Sequence, residues 1–356
     1  MGVFVILFLV PLLLQHAVIG IKNVDYEKKN RRAMLWFFLL LTVLVMLRHE
    51  SVGNDTTNYI MYFNTFKRMS WEDVAKYSLE IGFSYFNKIV SVFTDSPQFF
   101  LAVTAIVTAA MIYHTYKRLC LDPSLSIVLF GVMSTFVMMF SGIRQMLAIG
   151  IGFIAYEYTR NKKLVPFIIA VIIAISFHTS AFMLVFMYPL YHARITKKWL
   201  LAIVPALGVI FIINKQIFAF LSIVIEKYTR FEGELSSTGA YTMLILFTIF
   251  AVFVFLIPDD ELLDDETIGL RNFLLLSLIV QMFAPIHTLA MRLGYYYIIF
   301  IPLLLPKIIE CRSERWKQVA VVGRHIMVVF FLVYFFISAR GGALNVFPYH
   351  FFWEKV

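Results

Sequence analysis

The sequence predicts an all-α protein, a polytopic transmembrane helical bundle of about twelve spans. Three observations predict it. Hydrophobic residues fill 61% of the 356 positions and charged residues only 15%, too little polar surface to solvate a soluble domain of this size. Apolar runs of about 15–20 residues recur from one end to the other, and at about 1.5 Å per residue each comes close to crossing a hydrocarbon core as a helix. The Lys and Arg residues gather in short clusters between these runs, on alternate connections, in the positive-inside pattern.

In chain order the runs fall at 3–20, 33–47, 97–115, 124–141, 143–159, 164–177, 179–191, 199–214, 239–257, 271–288, 292–309 and 319–339. The first could pass for a secretion signal, but it lacks a basic leader and a small-residue cleavage site, so it is read as a span. The basic clusters then set the orientation: Lys22, Lys28, Lys29, Arg31 and Arg32; Lys117 and Arg118; Arg160, Lys162 and Lys163; Arg194, Lys197 and Lys198; and Arg312, Arg315 and Lys317. With these loops in the cytoplasm both termini lie outside. The acidic loop 259–266 is then the one inside connection without a basic excess, and acidic residues weigh little in this rule.

No stretch is left for a separate soluble domain, so 1–356 reads as a single integral membrane domain. Two outside segments are long, 49–96 and 215–238, and loops of that length are often functional. Residues 80–93 read as an amphipathic helix with Phe83, Phe86, Ile89, Val90 and Phe93 on one side, suited to the membrane interface. Residues 215–228 have the same character. No internal repeat of the kind found in many secondary transporters is present. The formal charge of +9 is spread over the loops, which gives no nucleic-acid-binding face. Cys120 and Cys311 lie far apart in sequence and indicate neither a disulfide framework nor a metal site.

Orientation sorts the ionisable residues at the ends of the runs. Arg48, His49, Glu50, Asp55, Glu80, Arg144, His178, His287, Arg292 and Arg340 all fall on the outside. Arg48, Arg144, Arg292 and Arg340 thus oppose the trend of their own chain, and something there needs positive charge. Arg144 is the most informative, because Ser141-Gly142-Ile143-Arg144-Gln145 opens a helix whose amino end points outward. Free N–H groups and the helix dipole favour an anion at such an end, and the planar guanidinium fork suits phosphate oxygens. Arg292 opens another run and Arg48 closes one, so several guanidiniums from separate helices are expected to converge on one anionic group. The plain alternative is that each arginine reaches to lipid headgroups from a helix end.

His178, at the outward junction of two apolar runs, reads as a general base, a hydrogen-bond donor or a turn cap. Asp55 is a candidate base or a turn residue, and Glu80 a candidate base or a helix-start carboxylate. The outside segment is also rich in aromatics, with Tyr59, Tyr62, Phe63, Trp71 and Tyr77. There is no phosphate-binding Gly-rich loop, no HExxH and no paired Asp signature, so neither an ATP-driven pump nor a metalloprotease is supported. No cofactor or metal is expected, and an enzyme built this way needs a substrate that arrives already activated.

These outside residues resemble the EpsG-like, Wzy-type membrane polymerases of bacterial surface polysaccharides. Arg48 followed by Gly53-Asn54-Asp55-Thr56 and Tyr59 is similar to that family's first-loop pattern, and Glu80-Ile81-Gly82-Phe83 to its Glu-x-Gly-aromatic element. Ile143-Arg144-Gln145-Met146-Leu147-Ala148 is similar to its Ile-Arg-Gln-x-x-Ala helix start, and Phe177-His178-Thr179-Ser180 to its Phe-His-x-Ser element. The likeness thins in the second half to Arg292, Tyr295 to Tyr297 and a tail with Pro348-Tyr349. It implies a GT-C-like bundle in the inner membrane and a metal-independent glycosyltransferase. The implied reaction, on the outer side, moves a growing glycan from undecaprenyl diphosphate onto an incoming lipid-linked repeat. It also implies a chain-length regulator protein as partner.

In this reading Arg144 and Arg292 bind the diphosphate with Arg48 or Arg340 assisting. His178, or else Asp55 or Glu80, takes the acceptor proton, and Tyr59, Tyr62 and Trp71 meet sugars. The rivals are a flippase for the same lipid-linked glycan, a glycan-modifying acyltransferase and an O-antigen ligase.

Overall fold

The computed structural model describes residues 1–16, 26–224, 238–311 and 314–356. Lys22, Arg312 and much of the 215–238 segment, with Tyr228, lie outside the described residues. Among those described the chain is all-helical, without strands. The α-helices are α1 (Gly2–His16), α2 (Tyr26–Met46), α3 (Thr56–Arg68), α4 (Trp71–Lys76), α5 (Ile81–Phe93), α6 (Pro97–Leu119), α7 (Pro123–Val132), α8 (Ser134–Ser141), α9 (Ile143–Arg160) and α10 (Leu164–Phe177). They continue with α11 (Met187–His192), α12 (Leu200–Ile212), α13 (Asn214–Val224), α14 (Thr238–Leu256), α15 (Asp265–Gln281), α16 (Thr288–Ile298), α17 (Ile301–Glu310) and α18 (Lys317–Ser338).

Among the described residues each apolar run carries a helix, but the 271–288 run leaves it after Gln281 and three others are broken. Residues 124–141 form α7 and α8, bent by 65° where Met133 takes an extended conformation. The 292–309 run is bent by 46° just ahead of Pro302, which opens α17 and cannot continue the hydrogen-bond ladder of a helix before it. The 179–191 run begins as a 3-10 helix, Thr179–Phe186, and becomes α-helical only at α11. Among the described residues two helical stretches, Pro97–Leu119 and Glu314–Gly341, are long and apolar enough to cross a membrane, or up to five if each bent pair is one crossing. Gly2–Gln15, Leu164–Phe177 and Ala240–Leu256 are apolar but shorter. Others carry charge: α9 holds Arg144, Glu157 and Arg160, and α2 opens with Glu27, Lys28, Lys29, Arg31 and Arg32.

The chain divides into two compact units. The first contains Met1–Val185 and Gly323–Val356. In it α9 packs on α6 and α10, and α2 packs on α1 and α6. One end of this unit is tied by polar bonds among helix ends. Arg118 on α6 clamps Glu157 on α9, Arg324 on α18 pairs with Asp122 before α7, and Asn30 donates to the Leu121 carbonyl at 2.7 Å. At the other end the 49–96 segment forms three helices. Thr56, Tyr59, Phe63 and Phe66 bury one stripe of α3. Together Tyr59, Phe63, Phe83, Val90, Phe100, Leu101, Ile143 and Leu147 make a core that seats α3 and α5 on the ends of α6 and α9.

The expected amphipathic helix exists as α5, with its apolar side divided. Phe83 and Val90 are buried and Phe86 packs against the same core, whereas Ile89 and Phe93 are 51% and 78% exposed. Residues 83, 86, 87 and 90 follow one helical stripe, Ile89 is rotated off it, and Phe93 is the last residue of α5. The C-terminal tail straps this end. His49 N–H donates to the His350 carbonyl, Phe352 to Leu47, Gly53 to Asn345 and Asn54 to Leu344, at 2.9–3.1 Å, and the Tyr349 hydroxyl donates to the Leu44 carbonyl at 2.7 Å.

The second unit, Phe186–Val322, is centred on α15, which packs against α11, α14, α16 and α17. The acidic loop 259–266 is neutralised within it. Asp260 accepts from fully buried Arg271 at 2.9 Å and from the Lys197 backbone N–H at 2.8 Å, Asp265 pairs with Arg194, and Glu266 pairs with Lys307. The loop that stood out from the basic pattern thus draws its cations from three segments, α15, the stretch after α11 and α17.

Candidate functional site

Three motifs of the sequence meet at the end of the first unit that the tail straps. Gly142 separates α8 from α9, so Ile143 turns into the buried core while Arg144 beside it projects outward at the first turn of α9. On α5, Gly82 lies against Ser176 of α10, where any Cβ would collide with the serine. That close approach brings Glu80, the residue before α5, to the end of α10. There His178 adopts an extended backbone and Thr179 begins the 3-10 helix.

The result is one carboxylate with several donors. Glu80 Oε2 accepts from Arg144 Nη1 at 2.6 Å, and Glu80 Oε1 accepts from the Thr179 N–H at 3.2 Å and its hydroxyl at 3.1 Å. His178 Nδ1 stands 3.3 Å from the same Oε1. The Glu80 side chain is 12% exposed and that of Arg144 24%. Burial alone would raise the Glu80 pKa, but the hydrogen bond from His178 and the charge of Arg144 hold its carboxyl well below the usual range. Glu80 is therefore a fixed anion at neutral pH and a poor proton acceptor.

Arg144 also lies close enough to the Tyr59 hydroxyl for the two to interact electrostatically and stands over the face of Phe83, 6.0 Å from the ring centroid. Its Nε is buried without a partner among the described residues. Tyr59 is placed by the first-loop motif. Gly53 has φ +89°, and a Cβ there would stand 2.5 Å from the Phe140 carbonyl oxygen, so only glycine lets the loop settle on the end of α8. Thr56 bonds the Val52 and Phe140 carbonyls and opens α3, and Tyr59 follows one turn later. Asp55, half-buried at the start of α3, lies near enough for its charge to act on Tyr59.

The ten candidates thus separate. Glu80, Arg144, His178 and Tyr59 form one junction with Asp55 beside it. Tyr59 is only 5% exposed and packs on Tyr62 and Phe83, so its ring is no sugar-stacking surface, and its hydroxyl serves Arg144 instead. Tyr62 is half-buried. Arg48 is fully buried, donating to the Val45 carbonyl and Thr56, with Nη2 unpartnered among the described residues; it sits behind the junction, out of reach of lipid headgroups. Arg340 is exposed on the 3-10 turn after α18. Arg292 is half-buried on α16, in the second unit. Among Arg48, Arg144 and Arg340 of the first unit, Arg144 is the one placed in the junction.

Sequence reasoning missed Thr179 and the Tyr59 hydroxyl as members of the site. The second was within reach, since Thr56, Tyr59, Phe63 and Phe66 recur at the three-and-four spacing of a buried helical face. No group of three or more His, Cys, Asp or Glu that could hold a metal ion occurs among the described residues.

A helical membrane protein with a buffered cation, a fixed anion and an imidazole at one end of a bundle is the class defined by this architecture. The chain matches the EpsG family over residues 31–351 and belongs to it; members of that family are Wzy-like, polymerase-type proteins. No curated protein and no solved structure matches the chain.

Proposed function

We propose that this protein polymerises lipid-diphosphate-linked oligosaccharide repeats into a surface polysaccharide, at the outer face of the bacterial inner membrane, in a chain that crosses the bilayer about twelve times. Family membership supports the polymerase class, and the single observation that carries the site is the Arg144–Glu80–His178 junction. When the sugar–oxygen bond of the donor breaks, negative charge grows on the departing diphosphate. A guanidinium at a helix amino end stabilises that charge more in the transition state than before it. A proton on His178 Nδ1, shared with Glu80, leaves Nε2 as the basic nitrogen to take the acceptor hydroxyl proton. Glu80 orients both groups and keeps its own charge. The basic ends of α6 and α9 lie opposite the junction, which under the positive-inside rule supports an outward-facing junction.

The test is complementation of a deletion strain, with the polysaccharide resolved on a gel. The deletion should leave single repeats attached to their acceptor, where loss of a ligase would leave none. Arg144→Ala and His178→Gln should each leave the single-repeat pattern at normal protein level. A full ladder from Arg144→Ala would discard the diphosphate role, and normal chain length from His178→Gln would discard the base.

A further inference from the structure

The outer helices carry a second feature that the junction does not use. Trp71, the first residue of α4, is 48% exposed yet held on several sides. Its indole stacks on Tyr85 of α5 with centroids 6.1 Å apart and planes 19° from parallel. Lys88 Nζ sits 5.7 Å from the indole centroid while donating to the Met69 and Lys67 carbonyls at 2.7 and 3.2 Å. Ser70 caps α4 by accepting from the Asp73 N–H at 3.1 Å. Tyr85 and Lys88 come from one face of α5, since residues three apart are neighbours on a helix. Both stand against the indole of Trp71, a residue that still keeps 48% of its surface exposed.

A fixed, exposed indole in an outer loop could serve a membrane interface or a sugar. The surroundings favour the sugar. Glu72 and Asp73 follow Trp71 and are exposed, Arg68 precedes it on the surface, and Lys67 pairs with exposed Asp95 at 2.7 Å. Exposed carboxylates resist insertion among lipid headgroups and chains, but they are good acceptors for sugar hydroxyls at the rim of an aromatic plate. Along α5 the five residues from Glu80 to Tyr85 rise about 8 Å, within the span of a short oligosaccharide.

We propose that Trp71, braced by Tyr85 and Lys88, is a stacking platform for a pyranose ring of the glycan, holding the chain beside the Arg144–Glu80–His178 junction. This rests on the glycan-joining reading and adds a binding subsite to it. The test uses the full chain in nanodiscs of phosphatidylcholine and phosphatidylglycerol. The probe is lipid-free oligosaccharide cut from the producing cell's own surface polysaccharide, followed by tryptophan fluorescence.

A saturable change is expected in the wild type. Trp71→Ala and Tyr85→Ala should bind, by calorimetry, about tenfold more weakly or worse, and Trp71→Phe should retain part of the affinity. Wild-type affinity in both alanine variants would overturn the proposal. So would quenching of Trp71 by brominated phosphatidylcholine with no response to oligosaccharide, which would make the indole a membrane anchor. The two readings fail separately. Trp71-independent binding alongside an Arg144-dependent ladder overturns only the platform, and Trp71-dependent binding alongside an Arg144-independent ladder overturns only the diphosphate role.

Discussion

The Glu80–Arg144 contact makes a prediction whose size follows from its burial. A fully buried pair costs about 3–5 kcal/mol when one partner is removed, because the other charge is stranded, whereas exposed pairs are worth about 0.2–1 kcal/mol. With side chains 12% and 24% exposed and Oε2 2.6 Å from Nη1, this pair belongs between those limits, at about 2 kcal/mol. Glu80→Gln keeps the shape and removes the charge; Arg144→Gln does the converse. The assay is a double-mutant cycle on thermal unfolding in nanodiscs, which isolates the pairwise term from the other bonds each residue makes. Each single variant should lose about 2 kcal/mol, and the double variant should lose much less than their sum. Additivity within about 0.3 kcal/mol would refute the reasoning, since two groups that truly share a proton-bridged contact cannot be lost independently.

Because the folded-state pKa of Glu80 is depressed, its contribution is present above the ordinary carboxylate value of about 4.3 and is lost as pH falls below it. The stability gap between wild type and Glu80→Gln should therefore close as pH is lowered through the carboxylate range, as melting curves at stepped acidic pH would report. Gly53→Ala puts a side chain at φ +89° and against the Phe140 carbonyl; a loss of about 2 kcal/mol or more should appear as a lower melting temperature together with a shortened polysaccharide ladder. A stop after Gly342 removes the tail bonds to Leu44, Leu47, His49, Gly53 and Asn54. At about 1 kcal/mol each that is about 5 kcal/mol, and limited proteolysis should then cut within residues 47–55 where the full chain resists.

The places of the helices were legible because each apolar run is itself a helix-length signal, and α10 begins and ends where its run does. The breaks were less legible. Pro302 announces the bend before α17, but nothing in Leu129 to Phe136 marks Met133 as an extended residue. At the site the individual residues could be named from charge against an apolar background, while their meeting could not. Arg144 and Glu80 are 64 residues apart and Thr179 and Glu80 99 apart, and no periodicity spans such gaps. The glycines held the missing information. Gly82 and Gly53 mark the two close approaches, to Ser176 and to Phe140, that bring α5 and α3 to the helix ends, and each was read only as part of a motif. Arg48 shows the opposite limit. Its position after an apolar run suggests a headgroup contact, but the tail returns from the far end of the chain to cover it, as the bond from Tyr349 to Leu44 shows across 305 residues.

An arginine already paired with a carboxylate looks poorly suited to gripping a diphosphate, and the donor count on Glu80 answers the objection. A lone guanidinium at an apolar helix end would bind any passing headgroup or remain unoriented, whereas Glu80, Tyr59 and the face of Phe83 hold Arg144 in one place before substrate arrives. The same carboxylate also faces His178 and both donors of Thr179. When Arg144 turns its charge toward a diphosphate, Glu80 is not stranded, because three contacts remain to satisfy it and the cost of the exchange falls below that of breaking an isolated pair. In the proposed reaction one carboxylate thus positions both the guanidinium that meets the donor and the neutral imidazole that meets the acceptor.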